Sequence, residues 1–533
     1  MAYKGQKIAL PLGNIGLVTD KAHSDMEPGS LVLARNVIYD GSRVLKSPGS
    51  TRYNTSPLDG AVVGVFDWFP DPITQRLIAV TRNGSIYRDT GNGEFSSNTP
   101  IKTGLATPGN QTFFTTGGAE LAARSKKLFI FTGANQVQVI TADSTIVSDI
   151  SKPAADWTTF YPRAGIIHKG RLWAFGNSNA PHRLYASDPE DHEDFLSAQL
   201  LTFEVFPGDG TRITAFLSYN ESLFVFKDGQ GAYLLNDTDP DVTKWTINKL
   251  KSSFGVASEH SVMQILNDVI LKNETGSLSS MAASDKFGDI ESADVLSALR
   301  NEGYMKENTS RDGNADTHAL YYPDKKQGLV TYRSPGAFFN DRLLVIDFNE
   351  QNARVSWEDK DQMTCLALRR DPSFNVQKPM YGNEAGNILL YDTDLRSIDG
   401  VAYTGEIETP WIDFGFADQA LAGAHKLFDA LELVFEVEGN WDVLVTVKID
   451  GQFQQVINYK QYLGNGLDSF ILDSTALDDL LTDGDEPQYR RRRLLGSGRR
   501  IKLNIKNSGN GERFTLVRAI FSLRLADEKS RRR

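Results

Sequence analysis

A chain of 533 residues is long enough for two or three domains, and 40% hydrophobic with 23% charged residues is the composition of a globular protein. Its single cysteine, Cys365, rules out an intrachain disulfide framework; the apolar stretch Ile8 to Leu12 is too short, and too broken by Pro11, for a secretory signal; and no run approaches the roughly 18 apolar residues of a membrane span. The net charge of −11 is uneven: residues 487–533 hold 15 Lys+Arg against 3 Asp+Glu, or +12, which leaves 42 basic against 65 acidic residues, or −23, on residues 1–486 and argues against a general nucleic-acid binder.

Residues 1–55 read as an N-terminal segment ahead of the first regular repeat. A short strand then recurs: a basic or small residue, Leu or Val, two or three apolar or aromatic residues, and often a glycine turn. The copies are Arg76 to Val80, Lys127 to Phe131, Arg171 to Phe175, Ser222 to Phe226, Asp268 to Leu271 and Arg342 to Ile346. From Leu77 the intervals are 51, 44, 51, 46 and 74 residues, near the roughly 40 to 50 residues of a four-stranded propeller blade. Radial repetition buries each such sheet between its neighbours, so the spacing predicts a β-propeller over 56–400; a sandwich with accidental spacing is the competing reading. The long last interval predicts an insertion near 300–320, where Arg300 to His318 is rich in Asn, Asp and Gly. Helix signals are few, at Ser292 to Leu299 and Ser474 to Leu481. Beyond residue 400 longer alternating segments take over: Leu431 to Val437, Trp441 to Ile449, Phe453 to Tyr459, Ile501 to Ile505 and Phe514 to Leu525. With Asp450-Gly451 as a hairpin turn and Asn507 to Gly511 as another, they predict a C-terminal β-sandwich over 401–533. The expected fold class is all-β, a propeller with an added sandwich.

Residues 13–49 run from Gly13-Asn14-Ile15-Gly16 through Met26-Glu27-Pro28-Gly29 and Ala34-Arg35-Asn36-Val37 to Lys46-Ser47-Pro48-Gly49. In order there follow His168 to Trp173, Arg183 to Pro189, Gly208-Asp209-Gly210 with Ile213-Thr214, and Leu223 to Phe226. This succession, over roughly residues 13–280, resembles the tail nozzle or stabilisation (tail tubular) propeller proteins of short-tailed bacteriophages. The resemblance implies a structural virion protein without enzymatic activity or cofactor, made in the host cytoplasm and resident in the tail. It also implies a ring, commonly a hexamer, that meets an adaptor or portal-side protein and a tail fibre or spike, and encloses a channel through which genomic DNA passes.

Chemistry is sparse. Asp237-x-Asp239-x-Asp241 has the alternation of a calcium loop, but Val242 stands where the turn needs glycine and Asn248 where a bidentate Glu belongs, so a solvated loop is favoured. His182 and His192 flank Asp188, Glu190 and Asp191 without a metal-ligand spacing. No nucleophile elbow, phosphate loop or zincin motif occurs. The competing function is a glycan-binding or glycan-cleaving propeller, with Trp173 or Trp245 stacking on sugar or two carboxylates in a cleft. The sharpest local feature is Arg490, Arg491, Arg492 and Arg493, with Arg499 and Arg500. Guanidinium forks suit phosphate, yet a conduit that gripped its cargo would stall it. The favoured reading therefore pairs these arginines with an acidic surface of a neighbouring subunit or adaptor, such as one carrying Asp478, Asp479, Asp483 and Asp485; an unpartnered loop and contact with DNA are the others.

Overall fold

The recurring motif is the second strand of successive propeller blades in the computed structural model of this all-β chain. The structure describes residues 5–90, 95, 99–106, 111–117, 126–197, 201–229, 231–250, 255–265, 268–281, 293–301, 303–349, 353–371, 376–436, 438–451, 453–461 and 488–526. Val62–Trp68, Arg76–Thr81 and Ile86–Arg88 make the first blade, and Lys102 bridges to Ile86. Four blades of four antiparallel strands follow, beginning at Phe113–Gly117, Ala164–His168, Ile213–Tyr219 and Val262–Ile265. Their second strands are Lys127–Phe131, Arg171–Phe175, Ser222–Lys227 and Asp268–Lys272, so five copies of the motif hold one structural position. Leu128, Ile130, Leu172, Ala174, Leu223 and Val225 on them are fully buried. A strand covered on both faces reads as a continuous apolar run, which is why the motif shows no alternation.

The sixth copy sits one strand later. Arg342 to Ile346 belongs to Asn340–Asp347, the third strand of a unit that begins with Ala319–Tyr322 and Gln327–Tyr332. The 74-residue interval therefore holds both this offset and the inserted segment, which contains the short helices Val295–Ala298 and Tyr304–Asn308 and the 3-10 turn Arg311–Asp316. Ser474 to Leu481 lies outside the described residues.

One strand of 17 residues, Arg354–Arg370, joins the last two propeller units. Its first half pairs with Asn340–Asp347; past a bulge beside Gln362, where φ is 45°, its second half pairs with Gln377–Asn383. Ile388–Thr393 comes next, and the outermost strand is Gly49–Arg52, from the other end of the chain. This unit abuts the first blade, where the Val62 carbonyl accepts from the Thr364 hydroxyl and, at 3.4 Å, from the Cys365 thiol. Further bonds at the starts of first strands join units: Thr112 N to Val63 O at 3.1 Å and Ala319 N to His260 O at 2.8 Å.

The sandwich forms from the C-terminal strands together with N-terminal ones. One sheet runs Gln488–Arg493, Lys426–Glu436, Thr515–Leu525, Arg43–Lys46, Val37–Asp40, with Gln6–Pro11 also on Thr515–Leu525. The other runs Leu33–Arg35, Gly405–Glu408, Ile501–Asn507, Asp442–Ile449, Phe453–Lys460. Alternation places Val443, Val445 and Val447 against Leu431, Leu433, Phe435 and Phe521, all buried between the sheets. Asp450 and Gly451, at φ 47° and 75°, make the left-handed turn that a two-residue hairpin requires. Residues 6–52 thus supply strands to both sandwich sheets and the final strand of the propeller.

Candidate functional site

Two strands of the sandwich, one in each sheet, pair on one side only among the described residues. The arginine run forms the edge strand Gln488–Arg493, in register with its neighbour at Leu433↔Arg490, Glu432↔Arg491, Leu431↔Arg492 and Ala430↔Arg493. A loop was one reading of the run; the alternating register and backbone pairing make it a strand. Phe453–Lys460 is the facing edge of the second sheet, and Gln455 links the two: its Nε2 donates to Arg493 O at 3.2 Å and its Oε1 accepts from Leu495 N at 3.0 Å. Among the described residues no carboxylate lies within ion-pair distance of Arg491, Arg492 or Arg493, whereas Arg35, Arg43, Arg76 and Arg82 are all paired. Arg499 and Arg500 follow the short strand Ser497–Gly498 further along the chain, where their amides donate to Asp450 at 2.8 and 2.9 Å and Arg500 stacks 5.7 Å from the Trp411 ring centre. The structure thus separates the six arginines into two groups. Asp478, Asp479, Asp483 and Asp485 lie outside the described residues.

A Ser-His-Asp arrangement, not anticipated from sequence, spans the third and fourth blades. Turns with left-handed residues at Lys169-Gly170 and Asn220-Glu221 bring the ends of two first strands together. His168 Nδ1 meets Ser218 Oγ at 2.8 Å and His168 Nε2 meets Asp237 Oδ2 at 2.8 Å. The Asp237 carboxylate also takes Lys169 Nζ at 2.6 Å, and the His168 carbonyl accepts from Trp173 Nε1 at 3.2 Å. Nucleophilic catalysis needs a serine that opens on a cavity with donors for an oxyanion. Cavities of about 180, 520 and 570 Å³ are lined by other residues; the three bonds to Ser218 and Asp237 fasten the third blade to the fourth, and the Trp173 bond is internal to the third. Only the spacing of His168 and Ser218 at matching strand ends could have signalled the pair.

The remaining acidic motifs resolve into local structure. Asp237 faces His168 and Lys169 rather than Asp239 and Asp241; Asp241 caps a 3-10 turn through Thr243 N at 3.0 Å. His182 pairs with Glu204 at 2.7 Å, and His192 Nε2 donates to Gly170 O at 3.0 Å. The largest of the three cavities carries Asp359, Asp361 and Asp399. Asp359 is clamped by Arg35 at 2.6 Å and by Arg342, and Asp399 by Arg52 at 3.0 Å, so two of the three carboxylates are already neutralised by guanidinium groups. Trp173 is buried between Phe203 and Trp245, at centroid distances of 5.7 and 6.4 Å. Burial pushes the Cys365 thiol up to about 12, which keeps it an unreactive packing group at the first-blade seam.

These features define a class by fold: an all-β protein in which a β-propeller is closed by its own N-terminal strand and fused to a β-sandwich. No protein-family model matches the chain, and no curated protein matches it. Among solved structures, it is similar to the computationally designed Ika8 protein at 9% identity and a TM-score of 0.35, covering 64% of this chain and all of that one. It is also similar to YCF48 bound to D1 peptide, at 12% identity and a TM-score of 0.41, covering 68% of this chain and 99% of that one. The propeller assignment stands on the strand pairing itself.

Proposed function

We propose that this chain is a structural protein of a short-tailed phage tail, of nozzle or stabilisation type, that assembles as a ring around the genome-ejection channel. The observation that carries the reading is the placement of residues 13–49, the stretch with the family resemblance. Leu33–Arg35, Val37–Asp40 and Arg43–Lys46 sit in the sandwich, and Gly49–Arg52 directly beyond them closes the propeller. A segment that locks two domains together suits a protein whose work is mechanical. The polar chemistry supports the same reading, because it is spent on internal ties: Arg354 and Asp347, both buried, pair at 2.8 Å, and Arg354 also donates to Gly13 O at 2.9 Å. Its partners are further copies of itself, an adaptor or portal-side protein, a fibre or spike, and DNA in transit.

Light scattering of the purified chain, alone and with the adaptor of the same phage, tests this. A discrete ring under either condition is expected. A chain that stays monomeric in both and instead binds host-surface glycans overturns the reading.

A further inference from the structure

We infer that the open edge of the sandwich, formed by Gln488–Arg493 and Phe453–Lys460, is the surface through which one copy grips an acidic face of the next, head to tail. This rests on the ring reading above and names the contact that builds the ring.

Three independent observations meet at this edge. Arg491, Arg492 and Arg493 have no carboxylate partner among the described residues, although residues 1–486 carry a charge of −23. On the same stretch stand exposed apolar side chains, Leu495 at 56% and Tyr489 at 54% exposure, and Val456 at 55% is exposed on the edge strand of the second sheet. Arginine and tyrosine around a small apolar centre is the composition of a protein contact surface. Finally, each strand has one edge without a strand partner among the described residues, so backbone donors and acceptors run along the same surface.

The occupant follows from complementarity. Phosphate would satisfy the arginines but gain nothing from Val456 and Leu495, and the bases of a duplex are already stacked and so not free for the tyrosine ring, so duplex DNA uses only part of the surface. A second copy supplies carboxylates in excess. It does not supply them from the same edge, however. If two copies of Gln488–Arg493 paired antiparallel in full overlap, Arg490 of each would oppose Arg491 of the other, and like charges directly opposite are destabilising. The edge is therefore disfavoured from pairing with itself in that register. It meets a different, acidic surface of the next copy, and such a heterologous contact repeats until it closes as a ring.

The full chain decides this by mass photometry with three proteins: wild type, R491E/R492E/R493E, and V456K. Wild type is expected to form a discrete multiple of the 59.1 kDa protomer. The triple variant should stay at protomer mass, with a lowered thermal midpoint because R491E sets a carboxylate opposite Glu432. V456K, which keeps every arginine, should need at least about tenfold more protein to assemble and stands as the deciding variant if the triple one fails to fold. A wild-type ring that persists in both variants overturns the inference and leaves the ring reading standing. A wild-type chain that remains a protomer both alone and with the adaptor removes the ring reading itself. Intact variant rings that have lost binding to a short DNA duplex assign the arginines to the channel and overturn the inference as well.

Discussion

At the end of the second strands, buried polar residues follow the apolar motif: Thr81, Lys227, Lys272, Asp347 and Asn383 are all at most 2% exposed, though Asp347 ends a third strand. Lys227 is satisfied by Val205 O at 2.9 Å and Asp209 at 2.6 Å. Lys272 has no such carboxylate among the described residues; its ammonium donates to Thr317 Oγ1 at 2.6 Å, and burial pushes it down to about 7. Unfolded, the same group holds its proton up to about 10.5. Between those values the unfolded chain binds more protons, so the Lys272 contribution to stability rises with pH from 7 to 10.5, and its cost is fully present below 7. Lys272→Met is expected to stabilise the protein by about 1–3 kcal/mol at pH 7 and to flatten that rise. Urea unfolding at pH 7 and 9.5 checks it, and a variant weaker than wild type at pH 7 contradicts it. His260 and His318 stack at 4.3 Å nearby, and burial lowers both below 6.5, with His260 further lowering His318. Their contribution is present above 6.5 and is lost as pH falls through their lowered values. Wild type should therefore lose stability more steeply than His318→Gln in acid melts, and parallel curves would exclude this origin.

The elements were legible where burial alone dictates them. Continuous apolar runs gave the second strands of five blades, and alternation gave Asp442–Ile449 and Ile501–Asn507, because a strand covered on one face or on two leaves those patterns directly. What the sequence hid was pairing between distant segments. Nothing local to Gly49–Arg52 says that it completes a sheet with Ile388–Thr393, or that Asn36 binds Asp359 and Thr404. These contacts are testable. A Cβ on Gly49 would lie within 3.0 Å of the Ser397 backbone, so Gly49→Ala should loosen the closing strand by about 1–3 kcal/mol. Hydrogen exchange at residues 49–52 and 388–393 should accelerate together, and exchange confined to one of them would mean that the strand does not close the ring. Asn36, at φ 51°, accepts from Asp359 N at 2.7 Å and donates to Thr404 O at 2.7 Å. Asn36→Ala should cost about 2–4 kcal/mol in urea unfolding, since it strands partners on both domains.

For the molecule as a whole, the distribution of charge separates two kinds of contact that contribute to assembly. Trp357 is held between Arg342 at 4.3 Å and Arg35 at 5.5 Å, and both guanidiniums also reach Asp359, so the junction between propeller and sandwich is knit by charges already paired inside one copy. Arg491, Arg492 and Arg493 are exposed and have no carboxylate partner among the described residues, so any attraction they exert on a neighbour acts through solvent. Salt shortens the reach of exposed charges from about 10 Å at 0.1 M to about 3 Å at 1 M, while leaving buried pairs nearly untouched. Raising NaCl across that range should therefore weaken association between copies by about tenfold or more without shifting the thermal midpoint of the protomer. Val456, Leu495 and Tyr489 should sustain a residual association that salt does not remove. Sedimentation at both salt concentrations reads the two contributions separately. Assembly indifferent to NaCl would assign the contact to apolar packing alone and leave the arginine strand without a part in it.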